Sequence, residues 1–189
     1  MARVTRVDKS RKEHTCGRGG HVIPIGDPYL WAKPGFRGTP RYRCLCHPFR
    51  RSELTVTLAA EPLAAVEAFE DIAGSGRVDS IEHLQDEWDA LVAAVEDYAS
   101  QREESLAQWE HGNPQLEELF DIATAAVDNV AGHSIEEFEE PEPARSDYPE
   151  GDEGEREYEV ARDEWGERRA EHVAEQAEQA LEVALSLEF

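Results

Sequence analysis

The sequence predicts a mainly α protein: a small N-terminal zinc-stabilised β/turn module, then an antiparallel α-helical hairpin, then a long C-terminal helix. Three observations point there. All three cysteines, Cys16, Cys44 and Cys46, lie in the first 52 of 189 residues. The same stretch is dense in glycine and proline, which leaves no room for a long helix. From Ser52 onward, apolar residues recur every third or fourth position, the period of a helix with one buried face.

Taken in order, residues 1–13 are polar and basic and read as a flexible arm. Residues 14–52 alternate short apolar stretches such as Val22-Ile23 and Tyr29-Leu30-Trp31 with turn residues, the pattern of short strands. A module of this size buries too little apolar surface to be comfortably stable without a staple, which favours a metal. The helical region spans 53–131. Pro62 suits a first helical turn, Leu63, Val66 and Phe69 give the apolar spacing, and Gly74-Ser75-Gly76 ends the segment. Asp79 is the expected cap of the next helix, with Glu82 as its capping-box partner.

That next helix has the clearest period in the chain. Ile81, Leu84, Trp88, Leu91, Val95 and Tyr98 form a heptad-like, coiled-coil type of seam, and the phase runs on through Arg102 and Ser105 to Trp109. Asn113-Pro114 starts a further helix with Leu116, Leu119, Phe120, Ala123 and Val127 on its apolar face. The short connection makes the two antiparallel neighbours. Residues 132–154 are acidic and proline-bearing and read as a linker. Residues 155–189 form the last helix, with a stripe through Trp165, Val173, Ala177, Ala180, Ala184 and Leu187. These stripes read as core, and His83, His111, His133 and His172 read as surface or helix-end residues.

The net charge of −23 hides a division. Residues 1–52 hold 12 basic and 3 acidic residues, a net of +9, whereas residues 53–189 hold 7 basic and 39 acidic, a net of −32. No apolar run approaches the roughly 18 to 20 residues that span a bilayer, so no membrane is expected. The basic start leads into no apolar segment, and the expected location is cytoplasmic.

An odd cysteine count without an export signal is poor material for disulfides, so metal binding is the leading explanation. Zinc takes four thiolate or imidazole ligands in a tetrahedron, usually two from each of two tight turns. Cys16 and His21 flank a glycine-rich turn, and Cys44 and His47 have the gap of a zinc knuckle. Cys46 competes with His47 for the fourth place, and His14 with His21. Four protein ligands make a closed structural site, since a catalytic zinc keeps an open position.

The residues Cys16-Gly17-Arg18-Gly19, Ile23 to Tyr29, Trp31, Lys33-Pro34 and Arg41-Tyr42-Arg43-Cys44, with Cys46-His47, resemble a small zinc-finger-like module. That module occurs in proteins of tailed bacteriophages of actinobacteria. It is also distantly similar to the zinc finger of poly(ADP-ribose) polymerases. The resemblance covers roughly residues 3–54 and implies a zinc site and a role on nucleic acid. Gly19 stands where that finger's first turn has its second cysteine, which shifts the ligand to His21 or removes one.

Around the cysteines lie Arg18, Lys33, Arg37, Arg41, Arg43, Arg50 and Arg51, interleaved with Trp31, Phe36, Tyr42 and Phe49. Basic side chains attract phosphate and aromatic faces stack on unpaired bases, so this head is the candidate surface for DNA or RNA. The acidic body repels nucleic acid and suits oligomerisation, as in a homodimer, or recruitment of a host or viral protein. The expected function is therefore a zinc-binding accessory or regulatory protein, with a viral setting implied by the resemblance. The alternative is a protein-interaction factor whose acidic helices bind a host protein or mimic nucleic acid toward it, the zinc being purely structural. Nothing stands out as a nucleophile with its base, a phosphate-binding loop or a catalytic carboxylate pair, so no enzyme is expected.

Overall fold

Val4–Val7 is a strand, β1, and this overturns the expectation of a free arm. In the computed structural model, which describes residues 1–35, 37–109 and 111–189, β1 lies antiparallel to β4 (Tyr29–Ala32), and β4 to β5 (Arg41–Arg43). The register pairs Thr5 with Trp31 and Trp31 with Tyr42. A basic segment serves as an edge strand because the strand is largely exposed, and charge on an edge discourages pairing with other chains. Two further ties hold the arm: the Ala2 N–H donates to the Leu54 carbonyl at 2.8 Å, and buried Ser10 exchanges backbone hydrogen bonds with Gly26 and Asp27.

A second, two-stranded ribbon pairs β2 (His14–Thr15) with β3 (Val22–Ile23). After β5 a single helical turn, α1 (Arg51–Leu54), leads into the helical body. Four longer helices follow: α2 (Ala60–Ala73), α3 (Ile81–Ala107), α4 (Pro114–Ala131) and α5 (Asp152–Ser186). The protein is thus mainly α, with a small antiparallel sheet at its N-terminal end. No helix among the described residues is long and apolar enough to cross a membrane.

The caps explain the boundaries. Pro62 sits in the first turn of α2, where a missing N–H costs nothing, and Gly74 ends that helix. Asn113 caps α4 by accepting from the Gln115 and Leu116 N–H groups. The cap of α3 is Ser80 and not Asp79: the Ser80 hydroxyl accepts the His83 N–H at 3.1 Å, while Asp79 reaches the His83 ring instead. An N-cap residue takes an extended, β-region backbone, and Ser80 has it, with φ −150° and ψ 158°.

The seam of α3 is buried as the spacing predicts, but it faces α2, α4 and α5 together rather than one partner helix of a coiled coil. Phe69, Leu84, Trp88, Leu91 and Val95 meet Val130, Ala177, Ala180 and Ala184 in one core. A fully buried side chain of this size contributes about 1.5–3 kcal/mol, so this cluster dominates the body's stability. The alanine stripe of α5 lets that helix lie close against the others within the same chain. The apolar phase of α3 stops short of Trp109, which lies beyond the helix and is 57% exposed.

The segment 132–151 is a strap docked on α5, which corrects the reading of 132–154 as a linker. Helix α5 itself begins at Asp152, three residues before the expected start. The Trp165 indole N–H donates to the Glu140 carbonyl at 2.9 Å, and the Arg168 guanidinium pairs with the Glu140 carboxylate at 2.6 Å. The Gln176 side-chain oxygen accepts the Glu136 N–H at 2.9 Å. Two histidines read as unattached belong here: His172 lies 2.9 Å from the Glu136 carbonyl, and His133 packs edge-on against Trp88. Acidic composition misled the sequence reading because the partners, Trp165, Arg168 and Gln176, lie 25 to 40 residues further on.

Candidate metal centre

Two turns build the centre. In the first, the ladder of β2 and β3 continues past Thr15, the Cys16 N–H donating to the His21 carbonyl at 2.9 Å. Cys16 and His21 therefore stand at the two ends of one closed loop. Gly20 makes that closure possible, its φ of +67° lying in the left-handed region that a side chain disfavours. In the second turn the His47 N–H donates to the Cys44 carbonyl at 3.3 Å, which brings those two side chains to the same side. A bond from the Gly17 N–H to the Tyr42 carbonyl, 3.0 Å, fixes one turn beside the other.

The result is a group of four. One donor atom each from Cys16, His21, Cys44 and His47 lie within 4.8 Å of one another. Cys16 Sγ is 3.8 Å from Cys44 Sγ and 3.8 Å from His47 Nδ1, and Cys44 Sγ is 3.2 Å from His47 Nδ1. A sulfur separation of 3.8 Å is too long for a disulfide, about 2.05 Å, and equals the edge of a tetrahedron with zinc–sulfur bonds of about 2.3 Å.

Gly19 fits the same arrangement. A Cβ at that position would lie 2.6 Å from His21 Nδ1 and 2.8 Å from His47 Cε1, so the two rings converge on a space that only glycine leaves free. The residue that departs from the finger pattern is thus the one that lets His21 reach the centre. The Gly19 N–H also points at Cys16 Sγ, at 3.5 Å.

Electrostatics separates the two thiols. Burial raises the Cys16 thiol, but backbone N–H groups of Cys44, Gly19 and Arg18 outweigh it and bring its pKa down to about 6. Burial and the neighbouring Cys46 and Cys16 thiols push Cys44 up. A cation placed among the four would favour the thiolate of both.

The competing candidates fall outside the group. Cys46 is exposed, its sulfur 3.7 Å from Cys44 Sγ. His14 is buried and stacks on Tyr42 at 4.0 Å and beside Tyr29 at 4.6 Å. Burial, reinforced by Lys12, lowers its pKa, so it is the neutral aromatic heart of the head.

The basic residues divide in two. Arg43 is buried inside the head, pairs with Glu53 of α1, donates to the Tyr42 carbonyl at 3.1 Å and lies over the Phe49 ring. Arg50 pairs with Asp71 of α2 and donates to the Glu67 carbonyl at 2.8 Å; Arg18 reaches the same Asp71 at 3.4 Å. These three, expected on phosphate, join the head to the body. Composition could not separate them, because their acidic partners lie 10 to 53 residues away. Lys33, Arg37, Arg41 and Arg51 are exposed, Arg41 also donating to the Glu53 carbonyl at 3.4 Å. Trp31 is half-buried in β4 beside Tyr42, and Phe36 lies outside the described residues.

Two cysteines and two histidines at tetrahedral spacing can hold a metal ion. No family model, curated protein or solved structure matches this chain.

Proposed function

We propose that the protein is a non-enzymatic accessory factor whose head is built on a structural zinc and binds nucleic acid through its remaining exposed cations. The observation that carries the metal reading is the convergence of Cys16, His21, Cys44 and His47 from two turns. Two thiolates and two imidazoles suit zinc, and four protein donors leave no position for a substrate. Lys33 and Arg37 in the loop between β4 and β5, with Arg41 and Arg51, supply the phosphate contacts. The resemblance of the head to viral zinc-finger-like modules is in keeping with this role.

A second reading, the protein-interaction factor, draws support from the engagement of Arg18, Arg43 and Arg50 in ion pairs within the chain, with Asp71 and Glu53. Those pairs shrink the basic surface, and the acidic helices remain outward. One experiment separates the two. Elemental analysis of the full chain should find about one zinc per molecule. Fluorescence anisotropy with labelled random-sequence DNA and RNA should show binding that weakens steeply with salt, and Lys33→Ala with Arg37→Ala should reduce the salt slope by about one per residue. Zinc without nucleic-acid binding at low salt favours the second reading, and a metal-free protein with a folded head overturns the first.

A further inference from the structure

Cys46 is a cysteine that the metal group does not use, and its placement is unusual. Its sulfur lies 3.7 Å from Cys44 Sγ, as close as Cys16 lies at 3.8 Å. It is exposed, whereas Cys16 is fully buried and Cys44 is 7% exposed. Cys44 and Cys46 share the short turn after β5, outside any strand ladder, so their approach breaks no strand pairing. An oxidant arriving from solvent meets Cys46 first, and the nearest thiolate able to resolve the product is a metal ligand.

We propose that Cys46 is an oxidative modification site that couples hydroperoxides to metal release, through a disulfide with Cys44. The Cys46 thiol attacks the outer oxygen of a hydroperoxide, breaking the O–O bond; an alcohol, or water from hydrogen peroxide, leaves, and Cys46 becomes a sulfenic acid. The Cys44 side chain, which a bound metal would keep as the thiolate, then attacks the Cys46 sulfur. The S–S bond forms, the S–O bond breaks and hydroxide departs. The two sulfurs lose two electrons in total and the O–O bond gains them, so one thiol, one thiolate and one hydroperoxide give one disulfide, one alcohol and one hydroxide. Cys44 then has no thiolate to offer, and Cys16, His21 and His47 alone would be too few donors to retain the metal.

The selectivity follows from access. Cys16 and Cys44 are as close to each other as Cys44 and Cys46, but neither offers an exposed sulfur for the first step. Reduction by a dithiol reverses the chemistry and restores the four donors. This inference rests on the metal reading above, and its test is arranged to fail separately.

The test uses the reduced full chain loaded with zinc, with hydrogen peroxide as probe and a chromogenic chelator reporting release. Alkylation and peptide mass mapping identify the disulfide. The wild type should release its zinc with formation of a Cys44–Cys46 disulfide, and a dithiol should restore binding. Cys46→Ser should bind zinc normally and release it roughly tenfold more slowly, because the exposed sulfur that meets the peroxide first is gone. Equal release rates in the two proteins, a Cys16–Cys44 disulfide, or retention of zinc by the oxidised wild type would each overturn the proposal. If the reduced chain holds no zinc the metal reading fails, and the mass map still decides whether Cys44 and Cys46 are the oxidised pair.

Discussion

The head and the body of this chain reach stability by different routes. The head's apolar cluster is Cys16, Ile23 and Cys44 with Tyr29 against them, so two of the three residues in that cluster belong to the candidate metal group. The body's main core runs from Val66 and Phe69 through Leu84, Trp88, Leu91 and Val95 to Ala180 and Ala184, and none of the candidate metal ligands belongs to it. On the proposed reading one region is held by coordination chemistry and the other by area removed from water. The contrast extends to charge: Arg43 and Arg50 of the head pair with Glu53 and Asp71, and the body's acids are turned mostly to solvent.

Single substitutions act on one region and spare the other. The largest effect belongs to Cys44→Ser, since apparent metal contributions in structural zinc sites run to about 10–16 kcal/mol. The variant should lose metal and the fixed environment of Trp31, the head's one tryptophan, while far-ultraviolet circular dichroism keeps the helical signal. Leu84→Ala acts on the opposite region. Leu84 is fully buried, and its truncation should cost about 3 kcal/mol and lower the melting temperature of the helices with zinc content unchanged.

Glu53→Gln tests the hinge between them. Arg43 is 7% exposed at its side chain and would lose its carboxylate, at a cost of about 3 kcal/mol measured by denaturant unfolding. The same pair predicts a pH dependence. Burial pushes the Glu53 carboxyl up, but the Arg43 guanidinium and the Arg50 N–H outweigh it and hold it below the usual carboxylate range. A carboxyl lowered on folding stabilises fully above the unfolded value of about 4.3, and the contribution is lost as the pH falls through the lower folded value. Glu53→Gln should flatten that part of the stability profile. The smallest effect is expected from Gly19→Ala, whose Cβ displaces the His21 and His47 rings and should weaken zinc binding roughly 10- to 100-fold by competition titration, with the helices untouched.

Much of this division was legible in the residues. The period of Leu84, Trp88, Leu91, Val95 and Tyr98 required a buried face, because no other arrangement hides that stripe from water. The ligand set Cys16, His21, Cys44 and His47 followed from two turns with metal-type spacing, and the structure gathers those four. What stayed hidden depends on long-range partners. Val4–Val7 becomes a strand only because Tyr29–Ala32 offers an edge, and Glu136 to Glu140 dock only because Trp165, Arg168 and Gln176 lie on the adjoining face of α5. Local composition carries no information on either. The pairing of Arg18, Arg43 and Arg50 with Asp71 and Glu53 was hidden for the same reason, and it engages three of the cations expected to face phosphate.

The most direct test is amide hydrogen exchange of the full chain with and without a strong zinc chelator, resolved by peptide. A head held by metal and a body held by packing predict that chelation strips protection from β4, β5 and the 16–21 turn, while α3, α4 and the second half of α5 keep theirs. Protection retained in the head after complete metal removal, or lost throughout the chain at once, would contradict the two-route account.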